Sequence, residues 1–139
     1  MRILVCESSE ILLRAIEGKL KLDGHEVITA LDGRAAYNII TNEKIDVMIT
    51  DILVPFVSGL ELTFYVRSKL RLDFPIIILS KIHNMDTIKQ AYRLGADEYI
   101  TKPFDPDWLE VRIKKAVMSK TMSANYVNAD LVNKRYSLS

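Results

Sequence analysis

Five short apolar runs alternate along the chain with segments whose apolar residues recur at helical spacing, and this alternation limits the fold more than any other feature. The runs are "RILVC" (2–6), "HEVITA" (25–30), "IDVMIT" (45–50), "PIIILS" (75–80) and "DEYIT" (97–101). Between and after them lie helical patterns over about 9–22, 34–42, 59–71, 85–94 and 107–119. The first, third and fourth runs are almost continuously apolar. A strand with one face in water alternates apolar and polar residues, so these strands are expected to be covered on both faces. The expected class is therefore α/β, a five-stranded parallel sheet doubly wound by five helices. Gly24, Gly33, Gly59 and Gly95 fall at element junctions, and Pro75 opens a strand where its missing N–H is harmless.

A chain of 139 residues with 49% hydrophobic content is sized for one domain with a real core. The domain is expected over residues 1–120; from there "KTMSANYVNADLVNKRYSLS" gains Ser and Asn and loses the apolar period, so 121–139 read as a C-terminal tail or the start of a linker. With 19 basic and 18 acidic residues, no overall field draws the protein to nucleic acid or to an anionic membrane. One cysteine, Cys6, excludes an internal disulfide framework, and no signal segment or membrane-length apolar run is present, so a cytoplasmic location is expected.

In a doubly wound sheet, reactive groups gather outside the carboxyl ends of the strands. Strand 1 runs into Glu7, Ser8 and Ser9; strand 3 ends in Asp51; strand 4 ends in Ser80; strand 5 ends in Thr101 and Lys102, with Pro103 next. Acids, hydroxyls and one lysine on a single patch suit a hard divalent cation and a phosphoryl group. Asp51 serves there as a ligand and carboxylate nucleophile, with Lys102 and Ser80 binding phosphoryl oxygens. Taken singly, polar residues at strand ends are ordinary surface. Asp51 is different, because a carboxylate set between "VMIT" and "ILVPF" costs several kcal/mol unless compensated.

At this point "DILVPFVSGLEL" (51–62) and "LGADEYITKPFDP" (94–106) resemble the receiver domain of bacterial two-component response regulators, a likeness covering about residues 2 to 119. The resemblance implies a flavodoxin-like fold with strand order 2-1-3-4-5, Mg²⁺ dependence, and phosphorylation of Asp51 by a histidine kinase, a phosphotransfer protein or a small phosphodonor. It makes Ser80 the hydroxyl that contacts the phosphoryl group, Lys102 the lysine that binds it, Tyr99 the switch aromatic and Pro103 a cis proline. It places the metal on Glu7, Asp51 and the backbone carbonyl of Leu53, and the signal on the face formed by helix 4, strand 5 and helix 5. On that face Glu98, Arg112 and Lys114 match a charge network that pairs across dimers in the winged-helix branch, while Leu94 and Trp108 replace an acid pair; Trp108 reads as an apolar anchor for a homodimer, a downstream protein or a fused effector.

The departures matter as much. Family members end strand 1 with two adjacent acids, and here the second is Ser8, a poor ligand, so magnesium affinity is expected to be weakened. Lys81 follows Ser80 where a small residue is usual; it either obstructs the path to Asp51 or adds a cation. Leu53 and Ile82, both apolar, flank the acceptor and predict slow self-dephosphorylation. Two rival readings stand beside the receiver. One is a docking module of receiver shape that no longer needs phosphate, motivated by Ser8 and Lys81. The other is an aspartyl-phosphate phosphatase, opposed by Leu53 in the place of the needed second acid; a signalling domain rather than an enzyme is expected. Cys6 reads as a buried structural thiol. His25 and His83 read as surface loop histidines, and no Gly-rich phosphate loop follows any strand. With no DNA-binding domain in the sequence, direct nucleic-acid binding is not expected, and the chain reads as a single-domain regulator or a receiver cut from something longer.

Overall fold

The computed structural model describes the backbone of residues 1–137 and the side chains of residues 1–123. Elements follow in strict alternation: β1 (Arg2–Cys6), α1 (Glu10–Leu22), β2 (Glu26–Ala30), α2 (Gly33–Asn42), β3 (Val47–Asp51), α3 (Gly59–Phe64) continued by a π-helical segment (Tyr65–Lys69), β4 (Ile76–Ser80), α4 (Met85–Leu94), β5 (Glu98–Thr101) and α5 (Pro106–Ser137). All strand pairs are parallel, and the sheet order is β2-β1-β3-β4-β5.

Strand periodicity divides the core in two. Ile3, Val5, Val47, Ile49, Ile77 and Leu79 point to one face, where α1 (Leu13, Ile16, Leu20) and α5 (Leu109, Ile113, Ala116) cover them. Leu4, Met48, Ile76 and Ile78 point to the other, under Ala36 and Ile40 of α2, Leu62 of α3 and Ala91 of α4. The three nearly continuous apolar runs are therefore the three central strands, buried on both sides. Each fully buried side chain of this kind contributes roughly 1.5–3 kcal/mol.

The helix starts are written in the sequence. Ser9, Asp32, Ser58 and Asn84 each cap a helix by accepting a backbone N–H from Leu12, Ala35, Glu61 and Thr87. At the end of α4, Gly95 adopts the left-handed conformation at φ 115°.

Two helices depart from the sequence reading. The pattern over 59–71 is broken by a π turn in which the Leu70 N–H reaches the Tyr65 carbonyl at 2.8 Å, and Arg71 then turns at φ 53°. This re-aims Arg67, whose guanidinium donates to the carbonyls of Gly95, Leu72 and Phe74 and to Asp97, tying α3 to the starts of β4 and β5. The second departure is α5. Read as ending near 119 ahead of a tail, it is helical through Ser137. No glycine or proline follows Pro106 to stop it, and Asn and Ser lower helix propensity without breaking a helix.

Candidate functional site

β1 and β3 lie side by side with Cys6 paired to Thr50, so the residues that follow, Glu7 and Asp51, emerge together at the carboxyl edge of the sheet. Asp51 is the last residue of β3, in register with Leu79 of β4, which puts Ser80 one residue further on along the neighbouring strand. Ser80 pairs in turn with Thr101, and the Lys102 N–H donates to the Ser80 carbonyl at 2.8 Å. Backbone register alone thus gathers Glu7, Asp51, Ser80 and Lys102 from four different elements.

Both acids are buried, Glu7 to 2% exposure and Asp51 to 8%. The Lys102 ammonium bridges them, donating to Asp51 Oδ2 at 2.6 Å and to Glu7 Oε1. The remaining oxygens take backbone donors: Ser9 N–H on Glu7 Oε2 at 3.0 Å and Leu53 N–H on Asp51 Oδ1 at 3.2 Å. Burial pulls the Lys102 ammonium down, but hydrogen bonds and charge from Asp51 and Glu7 outweigh it and hold the group above the ordinary lysine value. With one cation against two acids, this small buried cluster carries one excess negative charge. Gly59 fixes the acceptor loop: a Cβ there would stand 2.2 Å from the Asp51 carbonyl oxygen. Gly33 does the same from α2, where a Cβ would stand 1.7 Å from the Val57 carbonyl oxygen.

Excess negative charge and hard oxygen donors suit a hard divalent cation, which would balance what Lys102 leaves unbalanced. Glu7 and Asp51 would hold it, together with the backbone carbonyl of Leu53; bound there, it would screen Asp51 from an anionic donor. Ser8 is exposed and supplies no charge. Among the described residues no group of three or more His, Cys, Asp or Glu side chains converges for a metal. The acids of the site therefore number two.

Ser80 is fully buried, and its Oγ accepts the Ile82 N–H at 3.1 Å. The Tyr99 hydroxyl donates to the Ile82 carbonyl, with the ring buried against the sheet. Sequence reasoning named Ile82 only as a flank; the fold makes its peptide the bridge between hydroxyl and aromatic. The Lys102–Pro103 peptide is cis. Lys81 is exposed and lines, with Leu12, His83, Lys102, Pro103, Phe104 and Pro106, an apolar cavity of about 550 Å³ beside the lysine.

Glu98 and His25 fall differently from their sequence reading, whereas Lys114, Trp108, His83 and Cys6 agree with theirs in exposure. Glu98, expected as an exposed output charge, is buried and held within its own chain by Arg112 at 2.8 Å and Lys115 at 3.3 Å. A β5 residue under α5 cannot reach water, and the two cations offset its desolvation. Lys114 is exposed and lies 3.9 Å from Glu110, and Trp108 is exposed. His25 is not a free surface histidine. Its Nε2 lies 2.9 Å from Glu110 and its Nδ1 3.2 Å from the Met1 amine, because the turn before β2 passes beneath α5. His83 is exposed beside the Lys81 carbonyl. Cys6 is buried with its thiol toward the Asp32 carbonyl, and burial, aided by the charges of Asp32, Glu7 and Asp51 and opposed by a bond to Thr50, pushes it up to about 12.

Fold and site together define a doubly wound α/β domain with a buried carboxylate pair held by one lysine at the carboxyl edge of its parallel sheet. The sequence model of the response regulator receiver domain matches residues 3–114, and the chain belongs to that family. It is 32% identical over 114 residues to the transcriptional regulatory protein CrdR of Helicobacter pylori, covering 82% of this chain and 54% of that one. It is 35% identical over 120 residues to the phosphate regulon regulatory protein PhoB of Pseudomonas aeruginosa, covering 86% and 52%. The chain thus spans about half the length of these curated relatives. Among solved structures, a CheY-like receiver domain protein from Methanospirillum hungatei superposes with a TM-score of 0.82 at 27% identity, covering 88% of this chain and 97% of that one. A receiver domain from Clostridium thermocellum superposes with a TM-score of 0.78 at 32% identity, covering 87% and 97%. Receiver domains of this family are signalling domains that generally bind Mg²⁺ for phosphorylation. Among the described residues no helix is long and apolar enough to cross a membrane.

Proposed function

We propose that this receiver accepts a phosphoryl group on Asp51 from a histidine kinase, a phosphotransfer protein or a small phosphodonor in the cytoplasm. The observation that carries this reading is the bridge from Lys102 to both Asp51 and Glu7. A lysine so placed holds the Asp51 carboxylate in one orientation and stands ready to trade a carboxylate oxygen for a phosphoryl oxygen. The in-line attack is by the Asp51 carboxylate on phosphorus, with the donor leaving on the opposite side. Magnesium held by Glu7, Asp51 and the Leu53 carbonyl would neutralise charge on the donor, and the missing second acid at Ser8 weakens its affinity. The Ser80 hydroxyl then turns from Ile82 toward the new phosphoryl group, and the Ile82 peptide passes that movement to Tyr99 and the α4–β5–α5 face.

The test is incubation with acetyl phosphate or phosphoramidate and Mg²⁺, followed by mass spectrometry. One added phosphoryl group that Asp51→Asn abolishes is expected, and no adduct with any donor or metal overturns the reading. A second reading, a docking module independent of phosphate, is favoured by one observation: Ser8 leaves the site with two acids, both already occupied by Lys102. It requires partner binding that Asp51→Asn leaves unchanged.

A further inference from the structure

α5 is apolar on two opposite sides. Leu109, Ile113 and Ala116 are buried against the sheet. On the far side Trp108 is 59% exposed, Val111 51%, Met118 62% and Met122 66%. At 100° per residue these four fall within one stripe diametrically opposed to the buried one. Their spacing of three and four residues, completed by Lys115, is that of a heptad seam, with Trp108, Lys115 and Met122 at one core position and Val111 and Met118 at the other. The spacing continues in the sequence as Ala129, Val132 and Tyr136, interrupted by Asn125. A helix of 32 residues is about 48 Å long, far more than a five-residue strand can cover. A free helix with this Asn and Ser content is marginal in water without an apolar partner.

We infer that the outer stripe of α5 is the seam of a parallel two-stranded coiled coil with a second copy of this chain. Charge favours that occupant. In a parallel pair the residues flanking the seam meet as Asp107 against Arg112 and Lys114 against Ser119, one opposite-charge pair and no like-charge pair. Lys115 would repel its own copy across the seam, but its ammonium is drawn aside to Glu98 at 3.3 Å. Lys115 and Asn125 are polar core positions, and residues of this kind fix register. Because the seam faces away from the sheet, each domain hangs outside the coil, and α4 remains uncovered. The arrangement does not depend on chemistry at Asp51.

Sedimentation velocity of the full chain over a range of concentrations tests it. A dimer is expected that Met118→Glu with Met122→Glu converts to monomer, and that Asp51→Asn and the α4 substitution Tyr92→Glu leave intact. Both seam positions are exposed, so the domain fold is retained, as circular dichroism will show. In a separate chain, Met122→Cys is expected to cross-link to its own copy on oxidation, since Cys6 is buried and cannot compete. A wild-type chain that stays monomeric, or a dimer that survives the seam substitutions and is lost with Tyr92→Glu, overturns the inference. A dimer that fails to cross-link at residue 122 overturns its parallel arrangement.

Discussion

The Tyr99 hydroxyl donates to the backbone carbonyl of Ile82, and the amide of the same residue donates to Ser80. One peptide segment therefore feels both the buried hydroxyl at the acceptor site and the aromatic ring on β5. Tyr99→Phe removes one hydrogen bond and is expected to cost about 0.5–1.5 kcal/mol in urea denaturation. Ser80→Ala removes the acceptor of the Ile82 N–H, and a double-mutant cycle between the two is expected to show a non-zero coupling. Strict additivity would mean that Ile82 does not connect them.

Lys102 neutralises half of the charge on Glu7 and Asp51. Lys102→Met leaves two buried acids facing each other and is expected to destabilise the domain by about 3–5 kcal/mol at neutral pH. Asp51→Asn leaves a neutral Glu7–Lys102 pair and is expected to cost far less. Comparing urea midpoints of the two variants checks the order, and equal losses would contradict the charge balance drawn for the site.

Magnesium is expected to raise the thermal midpoint of the native chain in a concentration-dependent way, because a ligand that binds only the folded state stabilises it by mass action. Glu7→Gln and Asp51→Asn are each expected to abolish the rise, whereas Ser8→Asp is expected to shift it to lower magnesium concentrations. A rise unaffected by Glu7→Gln would remove Glu7 from the metal set.

The Cys6 thiol, ordinarily near 9.0, is held up to about 12 in the fold. Between these values the unfolded chain loses the proton and the folded chain keeps it, so the folded state binds more protons and stability falls as pH rises through that window. The expected slope approaches about 1.4 kcal/mol per pH unit for this one group. Cys6→Ala should flatten it, and thiol reagents at neutral pH should label the native chain only after denaturation.

Leu53 is exposed and Ile82 half-buried beside the acceptor, and neither offers a polar group to orient water. If Asp51 carries a phosphoryl group, Leu53→Asn with Ile82→Glu is expected to shorten its half-life, read by mass spectrometry after removal of the donor. An unchanged half-life would show that access of water is set elsewhere.

Much of this was legible in the sequence because it rests on local rules. The period of each apolar run gave its element, four glycines and Pro75 marked element junctions, and continuous apolarity marked β1, β3 and β4 as strands covered on both faces. Lys102 and Asp51 were legible as strand-end residues in a fold whose sites lie at strand ends. Less legible were residues whose role depends on what packs over them. Glu98 is an ordinary surface glutamate by sequence, yet α5 covers it and supplies Arg112 and Lys115. His25 lies in an apparent loop, yet α5 brings Glu110 to it. The extension of α5 escaped a reading that took loss of apolar period for a helix end, when neither glycine nor proline was there to end it.

By itself the sequence determined the parallel, doubly wound class and the identity of the acids, hydroxyl and lysine at its carboxyl edge, because strand period and turn chemistry are properties of short segments. Only the tertiary structure decided that Lys102 grips Glu7 and Asp51 at once, that the Ile82 peptide joins Ser80 to Tyr99, and that Glu98 is sealed under α5. Those relations depend on the register of neighbouring strands and on which helix lies over which face, and distances between segments far apart in the chain are fixed only when the core closes.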